Sequence, residues 1–79
     1  MVTPEQVKRF IEEGMGCTHL EVTGDGAHFE ALIVSEEFRG KNRVQQHQRV
    51  YRALGDRMKA DIHALSMQTF TPEQWKERG

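Results

Sequence analysis

Cysteine is nearly absent from this sequence: Cys17 stands alone in 79 residues, which excludes an internal disulfide framework. Proline occurs only as Pro4 and Pro72, each inside the same four-residue helix-start signal, and aromatic residues make up just 8%. No apolar run reaches the length that spans a bilayer, and no basic-then-apolar segment opens the chain. The expectation is a reducing, cytoplasmic setting with no membrane partner. An excess of charge is missing too: the formal balance is −1, with 29% charged and 37% hydrophobic residues, the profile of an ordinary globular domain. A chain this short makes one small domain, residues 1–79, of modest stability.

What the sequence does have is segregated charge. Residues 1–38 carry eight acids against two bases, whereas residues 39–59 carry seven bases against Asp56 alone. The basic module is densest between Phe38 and Tyr51. There a glycine turn bearing Arg39, Lys41 and Arg43 leads through Asn42, a good N-cap, into a helix whose polar side is basic. An electropositive helix start suits anions or an acidic partner.

Thr3, Pro4, Glu5, Gln6 has the parts of a capping box, with Val2 and Val7 spaced for a hydrophobic staple, and predicts a first helix over Pro4–Glu13. Leu20 and Val22 alternate with His19, Glu21 and Thr23 as in a half-buried strand, and Gly24, Asp25, Gly26 marks a turn. The run Ala27–Ser35 predicts the second strand of an antiparallel hairpin, with Phe29, Ala31 and Ile33 on one face and His28, Glu30, Leu32 and Val34 on the other. That second face is not wholly polar, so something is expected to cover it. After a helical turn at Ser35–Phe38, a helix from Asn42 to about Met58 presents Val44, His47, Tyr51, Leu54 and Met58 at helical spacing, despite Gly55 at a cost of about 1 kcal/mol. Ile62–Thr69 predicts a third strand, parallel to the second because a helix connects them. Thr71, Pro72, Glu73, Gln74 repeats the first start signal and opens a short helix anchored by Trp75. The order helix, strand, strand, helix, strand, helix is α+β.

No catalytic set is evident, so the chain reads as a non-enzyme. Cys17 with a histidine is the one thiol candidate, but it sits at a helix-to-strand junction without local support and reads as a small half-buried thiol, and the Gly24–Gly26 turn lacks the strand-to-helix setting of a nucleotide loop. Among the histidines, His47 reads as structural and His19 as solvated. His28 and His63 open the second and third strands, so parallel pairing brings them to corresponding ends of the sheet. Two imidazoles without a CxxC pair do not complete a tetrahedral zinc site, so any metal must be shared with another molecule. The cations of the basic module fit phosphates, though the acidic first half and the lack of an exposed aromatic platform argue against nucleic acid.

Phe38, Arg39, Gly40, Lys41 through Val44, His47, Val50, Tyr51 and Leu54, then Ile62, His63, Ala64, Leu65, then Thr71, Pro72, Glu73 and Trp75, resemble the signature of the BolA family over nearly the whole chain. The segment Gly24–Phe29 resembles its acid-stress bacterial branch, IbaG. The resemblance implies a class II KH-like fold, with a three-stranded mixed sheet and helices packed on one face. It implies a monothiol glutaredoxin partner and a [2Fe-2S] cluster shared with that partner and glutathione, with none in the isolated chain, which would be a monomer or a weak homodimer. His63 matches the family's C-terminal ligand. The second ligand lies in the first hairpin loop; no cysteine stands there, and His28 is favoured over Asp25 because imidazole suits iron-sulfur chemistry better. The alternative role implied is transcriptional regulation, with DNA bound through Arg39, Gly40, Lys41, Asn42, Arg43 and Arg49. The GxxG loop of nucleic-acid-clamping KH domains is missing.

Overall fold

The computed structural model describes residues 2–78. Helix α1 (Pro4–Gly14) begins where the sequence predicts, with Thr3 and Gln6 exchanging the two capping-box hydrogen bonds. Strand β1 (His19–Gly24) and strand β2 (Phe29–Val34) pair antiparallel, and strand β3 (Leu65–Phe70) pairs parallel to β2, giving the order β1-β2-β3. Helix α2 (Arg43–Leu54) crosses over between β2 and β3, and helix α3 (Pro72–Arg78) closes the chain. The α+β order matches the expectation.

Register assigns the faces. Phe29, Ala31 and Ile33 of β2, with Leu65 of β3, are buried under α1 and α2 together with Val7, Ile11, Val50 and Leu54. The opposite face carries the row His19, Val34, Phe70. Trp75 of α3 stacks on His19 at 5.1 Å between ring centres and meets Phe70 at 5.6 Å. So α1 and α2 share one face, while the short α3 reaches round to one end of the other. This covers one end of the apolar second face and leaves Val34 only 1% exposed, while Leu32 lines an open groove with Glu21, Glu30 and Gln68.

Several boundaries differ from expectation. Helix α2 ends at Leu54, not Met58, because Gly55 takes φ +57° and its N–H bonds the Tyr51 carbonyl as a C-terminal cap. Met58 is still buried, from the turns that follow. The inward side of α2 is Gln46, Val50 and Leu54, while Val44 is 65% and Tyr51 43% exposed. A three-stranded sheet is narrow enough to cover only one i, i+4 stripe. Gln46 takes the inner position of that stripe because its amide is satisfied, accepting from the Thr69 hydroxyl at 2.7 Å and donating to the Lys41 carbonyl at 3.1 Å. Strand β2 is shorter than Ala27–Ser35, since Asp25 binds the first of those residues into the turn and Ser35 caps the turn Glu36–Phe38. Strand β3 starts at Leu65, because Ile62–Ala64 forms a single 3₁₀ turn.

Candidate functional site

Two regions hold the residues singled out above. The first is the sheet end where Phe29 pairs with Leu65. His28 stands one residue before Phe29 and His63 two before Leu65, so the parallel register brings the hairpin loop and the 3₁₀ turn to the same end. His63 therefore belongs to a turn rather than to the strand itself. Both histidines are exposed, and neither imidazole has a hydrogen-bond partner among the described residues. Asp25 is differently placed: its Oδ1 accepts the backbone N–H groups of Ala27 and His28, each at 2.9 Å. Those two bonds, with His28 nearby, hold its carboxyl below the usual carboxylate range. Asp25 shapes the loop that carries His28.

The second region is the basic module, and the structure splits its candidate residues. Arg39 lies between two acids, with Nη2 2.5 Å from Glu73 and Nη1 3.1 Å from Glu36. Arg49, 19% exposed in its side chain, pairs with Glu37 at 2.7 Å and donates to the Gly14 carbonyl at 3.2 Å. Glu37 in turn accepts the Gly16 N–H at 2.6 Å; that bond and Arg49 hold its carboxyl below the usual range. This latch ties α1, the turn Glu36–Phe38 and α2 together, and it commits Arg49, expected to face DNA, to an ion pair within the chain. Asn42 spends its side chain capping α2 through Gln45. Gly40 makes the turn at φ +78°. Lys41 and Arg43 are exposed and form no ion pair among the described residues.

The other candidates resolve structurally. Burial and then Glu37 and Glu12 push the Cys17 thiol up to about 11, so at neutral pH it stays protonated and is no nucleophile. His19 is not simply solvated: it stacks on Trp75, with Nε2 2.5 Å from a Glu21 oxygen. His47 is structural, as expected, but its Nε2 is shut away from solvent without a partner, and burial, then Arg43, depress its pKa. Sequence reasoning missed Gln46, Glu37 and Arg78. Periodicity gives no signal for a buried amide; for Arg78 the cue was an arginine three residues after a tryptophan on a helix.

A mixed three-stranded sheet with two helices on one face and a third reaching the other defines a small α+β domain. The chain belongs to the BolA family, whose BolA-like protein model matches residues 4–74. It is 44% identical over 81 residues to Protein BOLA2 of Arabidopsis thaliana, covering 96% of this chain and 86% of that one. It is 43% identical over 58 residues to the DNA-binding transcriptional regulator BolA of Haemophilus influenzae, covering 73% of this chain but only 56% of the relative's length. The acid stress protein IbaG of Escherichia coli K12 is 32% identical over 71 residues, covering 89% of this chain and 84% of its own. Among solved structures, a bolA protein homologue from Coxiella burnetii matches with TM-score 0.80 at 42% identity, over 96% of this chain and 99% of that one. Yeast Fra2 matches with TM-score 0.77 at 30% identity, over 96% and 86%. No helix among the described residues is long and apolar enough to cross a membrane.

Proposed function

We propose that this chain is a non-enzymatic partner of a monothiol glutaredoxin, sharing a [2Fe-2S] cluster with it in iron-sulfur trafficking, iron sensing or stress response. The observation that carries this is the pair of exposed, unpartnered imidazoles of His28 and His63 at one end of the sheet. The donor set fits a shared cluster and not a private metal site. No group of three or more His, Cys, Asp or Glu among the described residues could hold an ion, so thiolates must come from the partner and glutathione. When bound, the cluster supplies the iron that is carried or sensed. This chain supplies neutral imidazole nitrogens: His63 from the short turn ahead of β3, His28 from a loop pinned by the hydrogen bonds of Asp25. Because imidazole must be deprotonated to bind iron, acid competes with the cluster. Mixing the chain with glutaredoxin, glutathione and a [2Fe-2S] source should shift the cluster's visible absorption and circular dichroism, and His63→Ala should abolish the shift. An unchanged shift for that variant removes His63 from the site.

A second reading, nucleic-acid binding in transcriptional control, is favoured by Lys41 and Arg43, two exposed cations without carboxylate partners at the start of α2. The printed name of the Haemophilus relative is consistent with it. Binding should weaken with salt and be lost in a Lys41/Arg43 double alanine variant.

A further inference from the structure

Of the seven cations between Arg39 and Lys59, Arg39, Arg49 and Arg57 are spent on carboxylates. Lys41 and Arg43 are not, and both open on one cleft of about 500 Å³ between the start of α2 and α3. The far wall of the cleft brings a third cation from outside the basic module, Arg78. Its guanidinium carbon lies 5.2 Å from the ring centre of Phe70 and 4.7 Å from that of Trp75. Contact with two rings positions the guanidinium, whose five N–H donors can still meet an anion. The floor is rigid as well: the buried Gln46 bonds Thr69 and the Lys41 carbonyl, which holds the Lys41 backbone in place. Glu77 is the single acid among the lining residues, and it forms no ion pair among the described residues.

We propose that the α2–α3 cleft is a phosphate-binding site in which Arg78 acts beside Lys41 and Arg43. For a macromolecular source of that phosphate the inference rests on the nucleic-acid reading above, and it changes the contact set: Arg78 enters, while Arg39 and Arg49 leave. The cations that line the cleft meet phosphates rather than base edges, so the cleft holds the backbone without sequence preference.

Trp75 is the chain's one tryptophan and lies against Arg78, so its emission reports on the cleft. The experiment titrates the full chain with a duplex of arbitrary sequence and, separately, with inorganic phosphate at matched ionic strength. Anisotropy of a labelled duplex is the second readout, since Arg78→Gln itself alters the Trp75 stack, and far-ultraviolet circular dichroism checks folding. The expected result is a saturable Trp75 response in the unaltered chain. Arg78→Gln should make the logarithmic salt slope of duplex binding shallower by about 0.9, the value of one phosphate contact. Glu77→Gln should tighten binding several-fold, which a purely structural role for α3 would not produce. A response to phosphate with none to duplex, lost in Arg78→Gln, assigns the cleft to free phosphate and removes the nucleic-acid reading. Duplex binding unchanged in Arg78→Gln but lost in the Lys41/Arg43 double variant overturns the cleft and leaves that reading standing. Silence with both probes overturns both.

Discussion

The two ends of the sheet carry histidines in opposite circumstances. At one end His19 is stacked on Trp75 and bonded to Glu21, with α3 folded over the row it shares with Val34 and Phe70. At the other end nothing among the described residues bonds the imidazoles of His28 or His63, and no helix packs over them. The same residue type on one sheet is thus structural where an element closes on it and available where the chain only turns. Availability, rather than spacing, separates the ligand candidates from the rest.

Exchanging the two ends in an experiment tests this directly, and the largest effect is expected at the open end. His63→Ala should weaken cluster sharing with glutaredoxin by at least about 100-fold, because losing even an outer-shell partner costs about 10–100-fold. His19→Ala should leave sharing intact while costing about 1 kcal/mol of stability through the lost aromatic contact. Competition binding followed by visible circular dichroism, paired with urea unfolding, reads both; equal loss of sharing in the two variants would erase the distinction.

Next in size is the latch on the closed side. Arg49→Met should destabilise the chain by about 2 kcal/mol, since it removes a largely buried cation from Glu37 and the Gly14 carbonyl. It should not change duplex binding, which places Arg49 with the closed structure rather than with the basic surface. Gly55→Ala should cost about 1–2 kcal/mol, because φ +57° is strained for a side chain.

The smallest effects concern pH. Glu37 has a folded-state pKa below its unfolded one, so the stability it contributes is present above the ordinary carboxylate range and is lost as pH falls through the depressed value. His47 is depressed as well, by burial, so the folded chain resists its protonation and loses stability as pH falls below the ordinary histidine range. Stability should therefore fall with pH in two steps, the upper from His47 and the lower from Glu37. His47→Leu should remove the upper step and add up to about 1 kcal/mol at neutral pH by replacing a buried, unpartnered nitrogen. A His47→Leu curve that retains the upper step would assign it elsewhere.

Much of the fold was legible because local signals agreed with it. Capping residues at Thr3, Asn42 and Thr71 marked three helix starts, strand alternation gave the hairpin, and the intervening helix required parallel pairing of β2 with β3. The inward face of α2 was not legible, because Val44 and Tyr51 look like core until Thr69 and the Lys41 carbonyl are seen to satisfy Gln46. Nor was the division of the cations, since ion pairing depends on residues as distant as Glu73 from Arg39. The histidine pair was legible as a possibility of register. That Asp25 Oδ1 holds the turn that carries His28 was not.

The account stands most directly on the open end binding iron through nitrogen. The decisive measurement is pulsed electron paramagnetic resonance on the reduced cluster in the complex of glutaredoxin with this chain, its histidines carrying ¹⁵N. The account predicts a ¹⁵N coupling from this chain that disappears in His63→Ala and persists in His19→Ala. A complex that forms and holds its cluster with no ¹⁵N coupling from this chain would contradict it.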